Sequence, residues 1–139
     1  MTDLSVQVAG VPFKNPIIPA SGVFGYGHEY EELFPLSKLG GIATKGTTIT
    51  PRPGNPSPRI AETPSGMLNS VGLQNPGIDV FVKRDIPFLK QYDTKIVVNV
   101  CGRSTKDYCE VVERLADEPV DLLENVSRLQ NGSTRPMST

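Results

Sequence analysis

With 139 residues the chain is long enough for one domain with a real core, and its 14 basic and 15 acidic residues leave a formal net charge of −1. That balance excludes the electrostatic footprint of a nucleic-acid binder and the polybasic patch of a membrane-surface protein. No run approaches the ~20 apolar residues of a membrane span, and the opening "MTDLSVQVAG" lacks the regions of a signal peptide, so a cytoplasmic location is expected.

In chain order, "LSVQVAGVPFKN" alternates Leu4, Val6 and Val8 on one face, turns near Gly10 and resumes with Val11 and Phe13, the pattern of a short β-hairpin. "NPIIPASG" reads as a brief apolar strand ending in small residues. "EYEELFPLSKL" has helical character with an acidic first turn, and Pro35 kinks or ends it. "GGIATKG" is a second short strand that closes on Lys45 and Gly46. The segment from Thr47 to Asn75 is rich in proline and glycine, yet apolar residues and amides recur through it, which predicts an ordered excursion.

"PGIDVFVKRDIPFLKQY" spaces Ile78, Phe81, Val82 and Leu89 as a helix interrupted by Pro87. "KIVVNVCG" is continuous and apolar, as in a strand buried on both faces of a parallel sheet. Ser104 can N-cap a helix through Leu115 with Tyr108, Val111, Val112 and Leu115 in one stripe, and "PVDLLEN" opens a fourth strand. Alternating strands and helices imply parallel pairing. The strands end in Ala20-Ser21-Gly22, Thr44-Lys45-Gly46, Asn99 and Glu124-Asn125, and that C-terminal edge is where parallel α/β folds bind ligands.

Each candidate has a plain and a functional reading. Lys45 is a snorkelling surface lysine or a fixed positive charge facing an anion such as a carboxylate, a phosphate or a reduced flavin. Asn99, inside a buried strand, needs its amide paired, either by a neighbouring loop or by a ligand. Asn69, Gln74 and Asn75 around Gly72 form ordinary turns or a cradle with close backbone approach. His28 has no visible partner and reads as a loop histidine. Cys109 falls on the apolar side of its helix, Cys101 follows a strand, and neither has the surroundings of a catalytic thiol. No cysteine or histidine pair has metal-ligand spacing, so no metal is expected.

Three stretches, "NPIIPASGVFGYG", "KGTTITPRPGNPSPRIAETPSGMLNSVGLQNPG" and "IVVNVCGRSTKDY", together resemble dihydroorotate dehydrogenase, most closely the NAD-linked bacterial catalytic subunit, over residues 3–124. The resemblance implies an α/β fold, the N-terminal portion of a (β/α)8 TIM barrel preceded by a β-hairpin that closes its bottom, with FMN at the C-terminal face. It implies oxidation of dihydroorotate to orotate in pyrimidine synthesis: a base takes the C5 proton while C6 gives a hydride to flavin N5. Carried over by position, Ser21, Lys45, Gly46, Asn99 and Asn125 would contact FMN. Lys45, Asn69, Ser70, Val71, Gly72, Leu73 and Asn125 would contact orotate, a flat ring with amide-like edges and a carboxylate. Electrons would pass to NAD through an iron–sulfur flavoprotein partner carrying FAD and a 2Fe–2S cluster, in a heterotetramer.

The ending departs from the family pattern. The family's fourth strand carries a Ser-Cys-Pro-Asn run whose Cys is the catalytic base. Here one residue is missing between Glu124 and Asn125, and Arg128 stands near the place of that Cys. Arginine stays protonated at neutral pH and cannot abstract a proton. A full barrel takes about 250 residues. The expectation is therefore a barrel portion over 1–124 and a divergent tail over 125–139, unstructured or out of frame, in a truncated chain that is inactive alone. The alternative is a non-catalytic fragment that only binds flavin or orotate, or docks on the electron-transfer subunit.

Overall fold

The computed structural model describes residues 2–125. Strands β1 (Val6–Val8) and β2 (Val11–Phe13) form the expected antiparallel hairpin, with Val8 opposite Val11. Its two-residue turn has positive φ at both Ala9 (50°) and Gly10 (80°), the twist that matches a tight hairpin. The face of Leu4, Val6 and Val8 is not the buried one: Leu4 and Val8 are exposed, and Phe13 is the residue that enters the core. Phe13 reaches the start of the next strand, where a Cβ on Gly41 would lie 2.7 Å from its ring. A Cβ on Gly40 would lie 1.9 Å from the Asn15 carbonyl, so the chain can cross here only over glycine. The hairpin thus sits at the N-terminal end of the parallel strands.

"NPIIPASG" forms no strand. Pro16 and Pro19 carry no N–H for a ladder, and the Ile17 carbonyl alone accepts from the Gly40 and Gly41 N–H groups at 3.0 and 3.4 Å. The run continues into the short helix α1 (Ser21–Phe24). Helix α2 (His28–Glu31) follows, and beyond Pro35 a 3₁₀ turn spans Leu36–Lys38.

Strand β3 (Gly41–Ala43) opens a parallel sheet whose other members are β6 (Lys95–Val100) and β7 (Leu122–Asn125), with β6 in the centre. Between β3 and β6 the excursion of residues 47–75 carries a further hairpin, β4 (Ile60–Thr63) and β5 (Gly66–Asn69), that the sequence does not signal. Both of its strands are exposed, so they lack the half-buried alternation that marks a strand in sequence.

Residues 78–89 are helical as expected, in three pieces: α3 (Ile78–Val80), a π-helical turn (Phe81–Asp85) and α4 (Ile86–Leu89). Pro87 has no N–H for the carbonyl of Lys83, and the wider π turn absorbs the mismatch without breaking the helix. Helix α5 (Thr105–Leu115) is capped as predicted: Ser104 Oγ accepts from the Asp107 N–H at 3.2 Å, and Asp107 accepts from the Arg103 N–H at 2.8 Å. Val111 and Leu115 are buried. Val112 and Cys109 are exposed, which corrects both assignments. Two residues from Val111 means about 200° around the helix, so Cys109 faces away from the core.

The core lies between one face of the sheet and these helices. Ile42, Ile96, Val98 and Val100 meet Leu36, Leu39, Ile78, Phe81, Ile86, Leu89, Val111 and Leu115. Arg114 reaches Asp79 to pin α5 to α3. Among the described residues no helix is long and apolar enough to cross a membrane.

His28 does have a partner. Asp85, wholly buried, accepts from Arg84 Nε at 2.9 Å and lies 2.8 Å from His28 Nε2. Facing an ionised carboxylate, Nε2 must carry the proton and donate. The ring also stacks on Phe88 at 3.9 Å between centroids, so His28 ties α2 to α4. Nearby, burial pushes the Tyr26 phenol up to about 12, against a weaker lowering by its 3.3 Å hydrogen bond to Thr47. The folded-state value is raised, so this contribution to stability is complete below the ordinary value of 10.0 and is lost as pH rises through about 12. An ultraviolet phenolate titration is expected to show a tyrosine ionising near pH 12 that Tyr26→Phe removes.

Candidate active site at the C-terminal edge of the sheet

The edge is built around a bulge. Thr44 N–H donates to the Val97 carbonyl and Thr47 N–H to the Asn99 carbonyl, both at 2.9 Å. Three residues on one strand therefore match two on the other, and the extra residue lies in the Lys45–Gly46 stretch. Such bulges re-aim side chains and recur beside active sites. Lys45 N–H leaves the ladder and donates instead to the Gly25 carbonyl at 2.8 Å, tying β3 to the turn that follows Ser21 and α1. The Lys45 side chain is half-buried and makes no ion pair among the described residues.

Gly46 is the floor of the site. A Cβ there would lie 2.7 Å from Cys101 Sγ, 3.0 Å from Leu73 Cδ1 and 3.1 Å from Asn99 Oδ1. Lys45, Gly46, Asn99 and Leu73, singled out from sequence, are thus brought together. Asn99 is 8 % exposed. Its Nδ2 donates to Glu124 Oε2 at 2.8 Å, and its Oδ1 accepts from the Cys101 thiol at 3.1 Å. Those two bonds leave one N–H and one lone pair for a ligand. Burial raises the Cys101 thiol, with Lys45 and Arg52 pulling the other way, so the sulfur is a protonated donor at neutral pH.

Leu73 reaches Gly46 because the excursion is folded back on itself. Asn75 and Arg52 exchange backbone hydrogen bonds at 2.8 and 3.0 Å. Arg59 holds the middle: Nε donates to the Asn55 carbonyl at 2.6 Å, Nη1 to Gln74 Oε1 at 2.8 Å and Nη2 to the Pro53 carbonyl at 3.0 Å. Gly72 (φ 81°) and Leu73 (φ 54°) are consecutive left-handed residues, and a Cβ on Gly72 would strike Asn55 at 2.7 Å. The N–H groups of Val71, Gly72 and Leu73 have no hydrogen-bond partner among the described residues. Arg59→Ala is expected to cost about 1 kcal/mol in stability, since its bonds are solvent-accessible. It should also make 53–74 markedly more sensitive to limited proteolysis than the parent.

Other candidates lie apart. Asn69 ends an exposed strand opposite Ile60, and Ser70 is held by the Arg59 carbonyl and Asn55. Gln74 and Asn75 serve the loop itself. The register of β7 puts Glu124 opposite Asn99 and Asn125 opposite Val100. Partners in a parallel ladder share a face, so Asn125 lies on the opposite face from Asn99 and is not gathered with the others. Arg128 lies outside the described residues. Sequence reasoning missed Glu124 and Cys101 as partners of Asn99; their signal was the facing alternation of β6 and β7. Arg52, whose charge acts on Cys101, carried no signal.

A parallel α/β sheet with a free lysine on a bulge, a close-approach glycine and a half-satisfied amide at its C-terminal edge belongs to the class of α/β ligand-binding folds. The family profile described as dihydroorotate dehydrogenase matches residues 3–129, and the chain belongs to that family. It is 64% identical over 124 residues to the dihydroorotate dehydrogenase B (NAD(+)) catalytic subunit of Lachnoclostridium phytofermentans, covering 88% of this chain and 41% of that protein. The subunits of the same name from Alkaliphilus metalliredigens and Alkaliphilus oremlandii are 60% and 56% identical, each over 90% of this chain and 42% of the relative. The chain therefore spans about two fifths of the length of these curated relatives.

Proposed function

We propose that residues 1–124 form the N-terminal portion of a (β/α)8 barrel that binds FMN and orotate at its C-terminal edge. The activity served is oxidation of dihydroorotate to orotate in pyrimidine synthesis. Electrons would leave to NAD through a separate iron–sulfur flavoprotein subunit carrying FAD and a 2Fe–2S cluster. The observation that carries the reading is the convergence of Lys45, Gly46, Asn99 and Leu73 on one bulged strand end. The parallel sheet with a hairpin at its N-terminal end fits a barrel closed at the bottom.

The residues present fit a flavin. Gly46 leaves room for Cys101, Leu73 and Asn99 to meet at the strand end, and Asn99 keeps one donor and one acceptor in reserve. Bound FMN would supply the hydride acceptor. Lys45 would hold its ammonium against a substrate carboxylate or the negative charge of a reduced ring, from the half-buried position the bulge gives it. Ser21 would add a hydroxyl from the first turn of α1, adjoining the Gly25–Lys45 hydrogen bond. The N–H groups of Val71, Gly72 and Leu73 would meet orotate's acceptor edges. The base that takes the C5 proton is not among these residues.

Titration of the chain with FMN should quench flavin fluorescence, and orotate should then perturb the flavin absorbance. Lys45→Ala is expected to weaken FMN binding about ten-fold and to abolish the orotate response. Absence of quenching by the parent chain would remove the flavin reading.

A second reading is a non-catalytic docking piece, favoured by the β4–β5 hairpin, whose Ile60, Met67 and Leu68 are more than half exposed. Capture of the electron-transfer subunit by a flavin-free chain, lost in Met67→Glu, would support it.

A further inference from the structure

We infer that Glu124 and Cys101 are positioning residues that fix which end of the Asn99 amide meets the flavin, an inference that rests on Asn99 being a flavin ligand. An asparagine amide has two ends of opposite hydrogen-bonding character, and nothing in its shape selects one. Here the neighbours select. An ionised carboxylate only accepts, so Glu124 Oε2 at 2.8 Å obliges Nδ2 to point at β7. The other end must then be Oδ1, and it finds the Cys101 thiol at 3.1 Å. Burial of that thiol favours the protonated form, which keeps it a donor.

The pairing follows from register. β6 and β7 run parallel with Asn99 directly opposite Glu124, so both side chains stand on one face at neighbouring-strand distance. Cys101 is two residues beyond Asn99 on the same face, and its backbone is anchored by its N–H to the Thr47 carbonyl at 2.9 Å. The main chain that carries the thiol is therefore held beside the amide. Gly46 completes the arrangement, since Oδ1 faces the space that a Cβ there would fill. The ligand consequently meets Asn99 with its carbonyl oxygen on the Gly46 side and its remaining N–H on the β7 side.

Glu124→Gln offers both a donor and an acceptor, so the Asn99 amide can flip. Cys101→Ala removes the donor to Oδ1, and Cys101→Ser restores one. The test is FMN affinity and bound-flavin absorbance of the full 139-residue chain and these variants, with thermal unfolding measured alongside. Glu124→Gln and Cys101→Ala should each weaken FMN binding about ten-fold and shift the flavin bands. Cys101→Ser should stay within about two-fold of the parent. Parent-like affinity and spectrum in both Glu124→Gln and Cys101→Ala overturn the inference while leaving the flavin reading intact. If the parent binds no FMN, that reading fails by itself, and orientation is read from the Asn99 side-chain amide resonances of the flavin-free chain. Glu124→Gln must then move those resonances and hasten their solvent exchange, with Cys101→Ser leaving them in place; unmoved resonances overturn the inference.

Discussion

Asn75→Ala should lower the free energy of unfolding by about 2–4 kcal/mol, read from denaturant midpoints at constant slope. Asn75 is 4 % exposed, and its Oδ1 accepts from Thr48 N–H at 3.2 Å, Thr48 Oγ1 at 3.0 Å and Gly77 N–H at 3.0 Å. Its Nδ2 donates to the Leu73 carbonyl at 2.8 Å. One side chain thus closes both ends of the excursion, where it leaves β3 and where it enters α3. Alanine would strand the Thr48 and Gly77 N–H groups in places that water does not reach, and each buried orphan costs about 1–3 kcal/mol. Asn75→Asp keeps an acceptor for Thr48 and Gly77 but sets a second carboxylate oxygen against the buried Leu73 carbonyl, so it should be destabilised as well. The alanine variant should also free Leu73 from Gly46, visible as a weakened response to FMN. A loss below about 0.5 kcal/mol would mean that backbone pairing with Arg52, rather than the side-chain clasp, closes the loop.

Asn75 also marks where sequence reasoning reaches its limit. Elements whose burial is one-sided or complete were readable: the apolar run of β6, the capped stripe of α5 and the tight turn at Gly10 each carry a local signal. The β4–β5 hairpin carries none, because both strands are exposed and arginine and asparagine side chains hold its base. "NPIIPASG" misled in the other direction: its apolar composition suits a strand, and its prolines deny the ladder. At the site, Lys45 and Gly46 were legible because they close an apolar strand at the edge where parallel α/β folds bind ligands. The roles of Glu124, Cys101 and Asp85 were not. Each is defined by a partner distant in sequence or by cross-strand register, and His28 looked solitary because Asp85 lies 57 positions away. The motif resemblance carried family membership, and the register of β7 sets the facing of Asn125.

Gly46→Ala tests the close-approach account most sharply. Gly46 does not have the left-handed φ that excludes a side chain, so alanine is tolerated by the backbone and the penalty comes from contact alone. The added methyl would lie 2.7 Å from Cys101 Sγ, 3.0 Å from Leu73 Cδ1 and 3.1 Å from Asn99 Oδ1, all inside van der Waals distance. Overpacking of this kind costs about 1–3 kcal/mol. The atoms that must yield belong to the candidate site, so FMN affinity should fall together with stability. Cys101→Ala deletes the nearest of them. In a double-mutant cycle the pair should therefore be less destabilised than the sum of the singles, with a coupling of about 0.5–3 kcal/mol. Strict additivity would place the methyl elsewhere than against the sulfur, and Gly46 would no longer qualify as the floor of the site.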